Sequence, residues 1–316
     1  MTSVAGTSTT KEGCWPNLLI VGAAKSGTTT LHYALARHPE VFMSYKKEPG
    51  YFTWPDEPLQ FINNGRLITK PRFLVNRKED YLKLFAEGCS RRYRGESSTT
   101  YLFFYEKTIA NIRRLHPEPD AIRILMILRH PVERAFSQYM HKVRDGAEPL
   151  TFEQALEQES WRRTHNWHFD YRYVERGFYY PQVKAYLDHF PHVLVLLYDD
   201  LRNDTAATLR TVQRFLNIKI MELTYEQELN VSGRPRLMAL NWLLKQPNKL
   251  KSLAGALIPP AWRRRLRLRL QSLVYRHNLE REVINPETRK KLLDMYAPDI
   301  EQLQKLLGRD LSAWLR

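Results

Sequence analysis

Continuous apolar runs alternate with amphipathic segments along most of the chain. The runs Leu18–Val21, Ile122–Leu128 and Val193–Tyr198 are rich in Leu, Ile and Val, which is typical of strands buried on both faces of a parallel sheet. A short strand is predicted at 41–44, and a further strand with the loop that follows it at 93–101. Because helical segments fill the intervals between these strands, the pattern predicts an α/β fold with a doubly wound parallel sheet.

The helical segments follow the strands in order. The pattern predicts a helix that begins at Thr28 and further helices at Glu106–Leu115, Val132–His141, Phe152–Glu159, Tyr180–Phe190 and Thr205–Leu216. Residues 53–80 mix aromatic, proline and charged residues without a period. We therefore predict a loop there, with a short helix that begins near Asp80.

The two ends of the chain depart from this alternation. Residues 1–15 are rich in Ser and Thr and lack an apolar core, which predicts a disordered tail rather than a signal peptide. Residues 16–316 are predicted to form a single domain, in which 237–316 is a helical extension without a strand signal. The segment 260–275 is strongly basic on one side, which fits a solvated helix or peripheral contact with a membrane surface.

Charge and cysteine content narrow the classes of function. The chain of 316 residues has 49 Lys and Arg against 34 Asp and Glu, a net charge of +15. Such an excess fits a solvated or nucleic-acid-binding surface, or an anionic cosubstrate or acceptor. The 2 cysteines give no disulfide framework, so a reducing compartment is expected. No apolar stretch reaches the roughly 18 residues of a membrane span, and we expect a cytoplasmic protein without a metal site or nucleic-acid partner.

The stretch 16–35 combines a strand, a glycine-bounded turn and a helix N-terminus. Gly22 and Gly27 bound the turn, whose N–H groups and helix dipole favour an anion. Lys25 supplies a full positive charge, and hydroxyl donors come from Ser26, Thr28, Thr29 and Thr30. The arrangement is close to a nucleotide-triphosphate loop, but the lysine precedes the second glycine instead of following it. A simple helix cap after a flexible turn is the alternative interpretation.

A second anion site is predicted after the strand 122–128. A nucleoside-triphosphate enzyme usually places an acidic magnesium ligand at such a strand end, but here Arg129 follows. Ser137 comes eight residues later, and Pro131 permits a sharp turn at the helix start between them. The two side chains could therefore converge on one phosphate. Alternatively, Arg129 pairs with Glu133 and Ser137 is merely solvated.

Together, the two segments resemble the cofactor motifs of sulfotransferases that use 3′-phosphoadenylyl sulfate (PAPS). Lys25–Thr30 is similar to their 5′-phosphosulfate loop, and 129–139 to their 3′-phosphate motif, in which the arginine and the serine bind the phosphate. The segments 176–190, 197–201 and 307–315 also resemble bacterial relatives of the heparan sulfate sulfotransferases. The resemblance covers most of 16–315 and implies PAPS as cosubstrate, a small-molecule or glycan acceptor, and transfer of the sulfuryl group to a hydroxyl or an amine.

The resemblance also implies the catalytic groups. The segment 46–52 is similar to a Lys-Glu-x-x-Phe-Phe strand exit whose glutamate is the general base, which assigns that role to Glu48. Nearby Lys47 would keep Glu48 ionised, although a surface glutamate paired with a lysine is the alternative. Lys25 would stabilise charge that grows on the leaving phosphate. The transferred group carries little charge compared with a phosphoryl group, so this chemistry requires no metal.

Several residues extend or depart from the family pattern. Ser97 stands where the family has a lysine after the glutamate, here Glu96, so the resemblance does not supply a second cationic contact there. Arg234 and Arg236 lie where relatives close a loop over the cofactor, and they contact the 3′-phosphate or are solvated. The segment 161–173 combines aromatic and cationic side chains, which suit either a sugar acceptor or core packing.

Two other classes of function remain open from the residues alone. A metal-dependent nucleotide kinase could use Asp199 or Asp200, which follow the last strand, as its acidic ligand. A binder of polyanions without catalytic activity could use the arginines of 263–269. The membrane anchor, signal and cysteine pair of the secreted sulfotransferases are not seen, which favours a bacterial type of enzyme.

Overall fold

The structure is a computed structural model that describes residues 13–69, 71, 73–223 and 282–316, together with the backbone of 234–235 and 279–280. The predicted helix within 260–275, most of the predicted tail and Arg236 lie outside the described residues. The chain divides into two compact units. The first comprises 1–59, 70–128 and 184–224, and the second comprises 60–69, 129–183 and 225–316.

A parallel five-stranded sheet forms the centre of the first unit, in the order β2-β5-β1-β6-β7. The strands are, in chain order, β1 Leu18–Gly22, β2 Val41–Met43, β3 Phe61–Asn63, β4 Arg66–Ile68, β5 Tyr93–Ser97, β6 Arg123–Leu128, β7 Val193–Leu197, β8 Arg234–Pro235 and β9 Leu279–Glu280. Because β1 lies in the middle and later strands add on both sides, the sheet is doubly wound. The predicted fold class is confirmed.

Helices connect these strands. They are α1 Thr28–Leu35, α2 Lys78–Lys83, α3 Thr100–Phe103, α4 Tyr105–Leu115, α5 Pro131–Arg144, α6 Phe152–Glu157, α7 Glu159–Thr164, α8 Tyr180–His189, α9 Tyr198–Asn203, α10 Thr205–Phe215 and α11 Pro286–Leu307. Short 3₁₀ segments occur at 86–88, 119–121, 169–171, 175–177 and 312–315. The helices predicted from the 3.6-residue period are present, with ends that differ by a few residues.

The apolar runs build the core of the first unit. Every residue of β1 is buried, and the side chains of Ile124–Leu128 have no exposed surface. Burying one such aliphatic side chain contributes about 1.5–3 kcal/mol. Gly22 ends β1 where a Cβ atom would lie 2.6 Å from Leu102 Cβ, so α3 can pack closely on the sheet only because this position is a glycine.

The second unit has a core of its own around α5 and α11. Asp299 of α11 accepts hydrogen bonds from Tyr179 N at 2.8 Å and Tyr180 N at 3.1 Å. Burial raises the pKa of the Asp299 carboxyl to about 6. Tyr296 of α11 donates to Val174 O at 2.8 Å, and it lies so close to Gly177 that a Cβ there would meet its hydroxyl at 2.7 Å.

Two sequence predictions of local structure are wrong. The structureless loop predicted for 53–80 contains the antiparallel pair β3 and β4, joined by Asn64 and Gly65, whose φ angles are 50° and 68°. An Asn-Gly pair favours this left-handed hairpin turn, so the signal was present but its flanking strands were too short to show alternation. The C-terminal part contains β9, which pairs with β8 although only two residues long and without a strand signal.

The cysteines are also paired, contrary to the prediction of no disulfide. Cys14 and Cys89 form a disulfide with Cα atoms 5.7 Å apart and a sequence separation of 75. The bond closes a long loop and so restricts the unfolded chain. Beside it, Trp15 is buried and its ring stacks on Phe52. Two cysteines so distant in sequence cannot be paired by spacing, and the bond is more typical of oxidising compartments than of the cytoplasm.

Candidate cosubstrate and catalytic site

The anion loop follows β1 in the first unit and ends at the N-terminus of α1. Lys25 and Gly27 both have positive φ angles, 65° and 98°, so the turn is tight on both sides of Ser26. Gly27 is the N-cap of α1, and no side chain among the described residues caps this helix. A bound anion could therefore accept hydrogen bonds from the N–H groups in the first turn of α1. The helix dipole makes this end positive, and the three residues of the turn, Thr28, Thr29 and Thr30, carry hydroxyls.

Burial within this loop is uneven. Ser26 is fully buried and Thr28 is 5% exposed, whereas Lys25, Thr29 and Thr30 are partly exposed. Ser26 Oγ lies 3.4 Å from Ala24 O, a long hydrogen bond within the turn. Ser26 and Thr28 thus lie inside the loop, and Lys25, Thr29 and Thr30 are the residues that a ligand can reach.

Glu48 belongs to the segment after β2 and is held against the C-terminal end of β5, in the same unit. Its Oε2 accepts hydrogen bonds from Thr99 N at 2.7 Å and Thr99 Oγ1 at 3.1 Å, and its own N–H donates to Ser97 O at 2.8 Å. Its φ angle is 56°, a region that residues other than glycine rarely adopt and that is frequent at functional sites. The carboxylate is therefore fixed in direction, which distinguishes it from a mobile surface glutamate.

Lys47 also contacts the anion loop. Its Nζ donates to Thr29 Oγ1 at 2.6 Å. Burial lowers the pKa of the Lys47 ammonium, and the proximity of Glu48 acts in the opposite direction. The sequence analysis assigned Lys47 only to the ionisation of Glu48, and its contact with the loop was missed because the two residues are 18 positions apart.

A buried carboxylate supports the strand exit. Glu96 of β5 has no exposed surface, and it accepts hydrogen bonds from Tyr81 at 2.9 Å, Tyr101 at 2.5 Å and Ser98 at 2.7 Å. Ser98 Oγ in turn accepts from Gly50 N at 3.0 Å. Burial raises the pKa of Glu96 to about 7. This network joins β5 to the segment that carries the candidate base, and sequence reasoning did not find it.

The raised pKa of Glu96 predicts a pH-dependent stability. Between the unperturbed value of 4.5 and about 7, the folded state holds a proton that the unfolded state has lost, so stability falls as pH rises through this window. We expect the melting temperature of Glu96→Gln to fall less between pH 5 and pH 8 than that of the wild type. Glu87→Gln, at an exposed glutamate in the segment before β5, is the control. Parallel curves for all three proteins would contradict the assignment.

The residues predicted for the 3′-phosphate belong to the second unit. Arg129 precedes α5, and its carbonyl oxygen accepts a hydrogen bond from the Tyr179 hydroxyl at 3.0 Å. Arg129 Nη2 lies 3.9 Å from Glu133 Oε2, which is an ion pair but too long for a hydrogen bond, and Glu133 also pairs with Arg289 at 2.5 Å. Ser137 on α5 is 8% exposed. The alternative interpretation thus holds for the pair of Arg129 with Glu133, but not for the solvation of Ser137.

The arginines predicted to close over the cofactor are described only in part. The backbone of Arg234 belongs to β8 and pairs with Glu280, whereas Arg236 lies outside the described residues. Asp199, a candidate kinase ligand, lies in the first turn of α9 and pairs with Arg202 at 3.1 Å. Among the described residues, no group of three or more His, Cys, Asp or Glu side chains could hold a metal ion.

The aromatic segment 161–173 divides into a buried and an open part. Arg162 is 4% exposed and makes a two-point salt bridge with Glu148, with distances of 2.5 Å and 2.8 Å. By contrast, Trp161 is 49% exposed and stacks on His165 with ring centres 4.1 Å apart. A cavity of about 550 Å³ in the second unit is lined by Pro149, Leu150, Gln154, Glu157, Gln158, Trp161, Arg162 and Trp167. Core packing and an open aromatic wall are thus both present.

None of the helices in the described part of the chain combines the length and the apolar character needed to cross a membrane.

The chain is similar to known sulfotransferases in sequence and in fold. The sequence model of the sulfotransferase family matches residues 16–222. A human bifunctional heparan sulfate N-deacetylase/N-sulfotransferase 2 is 29% identical over 210 residues, which are 64% of this chain and 22% of that protein. The membrane-associated sulfotransferase kil1 of Dictyostelium discoideum is 30% identical over 156 residues, 46% of this chain and 28% of that protein. The chain thus matches about a quarter of the length of these curated relatives.

A solved structure covers far more of the chain. The crystal structure of a sulfotransferase from Alicyclobacillus acidocaldarius has a TM-score of 0.71 and 28% sequence identity, covering 96% of this chain and 99% of that one. The family match spans both β1 with its anion loop and α5 with its preceding arginine. On this basis, the chain belongs to the sulfotransferase family.

Proposed function

We propose that this protein transfers the sulfuryl group of PAPS to a hydroxyl or amine of an acceptor. The observation that carries the proposal lies within the first unit. There the N-terminus of α1, with Lys25 beside it, follows β1, and Glu48 is fixed at the exit of the adjacent strand β5 by Thr99. The helix end and Lys25 would stabilise the negative charge on a leaving phosphate, and Glu48 would take the proton that the acceptor loses.

The cosubstrate would be bound at both ends of its nucleoside. The 5′-phosphosulfate is assigned to the loop and first turn, namely Lys25, Ser26, Gly27, Thr28, Thr29 and Thr30. The 3′-phosphate is assigned to Arg129 and Ser137, with Arg234 and Arg236 as further contacts. The family membership and the uncapped helix end support this assignment, in which no metal ion takes part.

A carbohydrate is the acceptor class that we favour. The named activity of the human relative is N-sulfation of heparan sulfate, a glycan. In this chain, the exposed indole of Trp161 beside the amides of Gln154 and Gln158 offers a flat apolar face next to hydrogen-bonding groups, which suits a sugar ring. We also propose a bacterial type of enzyme, given the likeness to the Alicyclobacillus structure. The disulfide argues against the cytoplasmic location expected from the sequence.

The proposed function is tested with PAPS carrying labelled sulfate and a panel of acceptors. Mass spectrometry would look for the added sulfate on desulfated glycans, amino sugars and simple alcohols, with and without a metal chelator. Transfer in the presence of chelator supports the proposal. A kinase is indicated instead if ATP is consumed only with Mg²⁺, and a polyanion binder if heparin binds tightly but neither donor turns over.

Replacing Arg129 by alanine is expected to weaken the binding of adenosine 3′,5′-bisphosphate. The loss of one charged contact to a phosphate corresponds to about a 10-fold to 150-fold higher Kd, measured by calorimetry. Binding of AMP, which has no 3′-phosphate, should change much less. Arg144→Ala, at the opposite end of α5, is the control. An equal effect of Arg129→Ala on both nucleotides would show that Arg129 does not bind the 3′-phosphate.

A further inference from the structure

A second cation lies beside the anion loop without belonging to it. Lys47 comes from the segment after β2, and its ammonium donates to the hydroxyl of Thr29, the second residue of α1, at 2.6 Å. An ammonium can donate three hydrogen bonds, so the bond to Thr29 uses one of them. Because Thr29 belongs to the first turn of α1, Lys47 adds a full charge to the same helix end that Lys25 serves from the loop.

The strand exits fix this lysine in place. The backbone N–H of Glu48, the next residue, donates to Ser97 O at the end of β5 at 2.8 Å. The side chain of Ser97 is itself engaged, because its Oγ lies 2.9 Å from His32 Nδ1. Burial, together with the nearby charge of Lys47, lowers the pKa of His32 to about 3. His32 is therefore neutral near pH 7, and the charge between β5 and α1 comes from Lys47.

We propose that Lys47 is a second catalytic cation, which contacts the sulfuryl oxygens of the bound cosubstrate. The inference rests on the proposed function. In that reaction, the acceptor oxygen or nitrogen forms a bond to sulfur while the bond from sulfur to the 5′-phosphate oxygen breaks. The acceptor proton passes to Glu48, and adenosine 3′,5′-bisphosphate leaves with the electron pair. Lys47 precedes the base Glu48 in sequence and contacts the loop through Thr29. Its ammonium can therefore stabilise the sulfuryl oxygens while the group passes from the donor to the acceptor.

The test compares Lys47→Met, which keeps the length of the side chain but removes its charge, with Lys46→Met as the matched control. We expect kcat to fall about 100-fold for Lys47→Met, in the range seen when one transition-state donor is removed. Since adenosine 3′,5′-bisphosphate lacks the sulfuryl group, its Kd should change by less than about threefold. Lys47→Arg should retain more activity than Lys47→Met, and Lys46→Met should behave like the wild type.

Four results would overturn the inference. Lys47→Met with wild-type kcat would remove the catalytic role. Equal losses in kcat and in nucleotide affinity would show that Lys47 only holds the loop through Thr29. If Lys47→Met failed to fold, as judged by its melting temperature, Lys47→Arg and Lys47→Gln would be compared, and equal kcat values would again exclude a role for the charge. If the wild type transfers no sulfate, the proposed function is wrong and this inference falls with it. If the wild type is active, the Lys47 variants test the inference alone.

Discussion

Replacing Lys25 by alanine is expected to reduce kcat/KM for sulfate transfer by about 100-fold to 1,000-fold, the usual cost of removing one donor to a developing negative charge. Lys25 is the charged residue within the turn between β1 and α1, and its side chain is partly exposed at the end of a helix whose first turn contains only threonines. The leaving 5′-phosphate gains negative charge as the bond to sulfur breaks. The loss should therefore appear in steady-state turnover of labelled PAPS.

A second substitution separates the charge of Lys25 from the shape of the turn. Lys25 has a φ angle of 65°, so an alanine there also introduces strain in a left-handed conformation. Lys25→Asn is the better variant because asparagine adopts this conformation more readily. If Lys25→Asn folded normally and turned over as fast as the wild type, Lys25 would not stabilise the leaving group.

Glu48→Gln is expected to lower kcat by about 100-fold to 10,000-fold, the range for loss of a general base. Binding of adenosine 3′,5′-bisphosphate should stay unchanged. The amide oxygen of glutamine can still accept the hydrogen bonds that Thr99 N and Thr99 Oγ1 now donate at 2.7 Å and 3.1 Å, so the segment keeps its conformation. The variant therefore removes basicity while it preserves the geometry.

The Glu48 experiment combines single-turnover rates with calorimetry of the nucleotide. Glu57→Gln is a control, since Glu57 lies in the same region and its carboxylate pairs with Lys107 at 2.5 Å. Normal turnover of Glu48→Gln would transfer the role of base to another group. A loss of nucleotide affinity equal to the loss in rate would instead assign Glu48 to the architecture of the loop.

Much of the fold could be predicted because its signals are local. The run Leu18–Val21 is continuous and apolar, and it forms the buried central strand β1. The glycines, Lys25 and the threonines lie within residues 22–30, so one short segment of sequence contains all the residues of the proposed anion loop. Glu48 likewise lies at a strand exit next to a lysine, as the pattern indicates. In these segments the structure depends on neighbours within a few positions, and the sequence analysis and the structure agree.

The features that were missed depend on distant residues. Glu96 is buried by hydroxyls of Tyr81 and Tyr101, which approach from two different helices, α2 and α3. Cys14 and Cys89 are brought together because they precede the adjacent strands β1 and β5. Such partners are determined by strand order, which hydrophobic periodicity does not specify. The hairpin of β3 and β4 was missed for a different reason, since its strands are only three residues long.

The packing of Gly27 has a consequence for the order in which this protein matures during synthesis. A Cβ at this position would lie 2.8 Å from Leu201 Cδ2 and 3.3 Å from Tyr198 Cδ2, so the turn rests against residues made much later. When synthesis has reached only β6, the nascent chain contains Lys25 and the threonines of the turn. It does not yet contain Tyr198 and Leu201 of α9, against which the turn packs. We therefore expect donor binding to arise only after α9 has left the ribosome. Chimaeras that exchange β7 and α9 would for the same reason disturb the turn around Gly27, although it lies far earlier in the sequence.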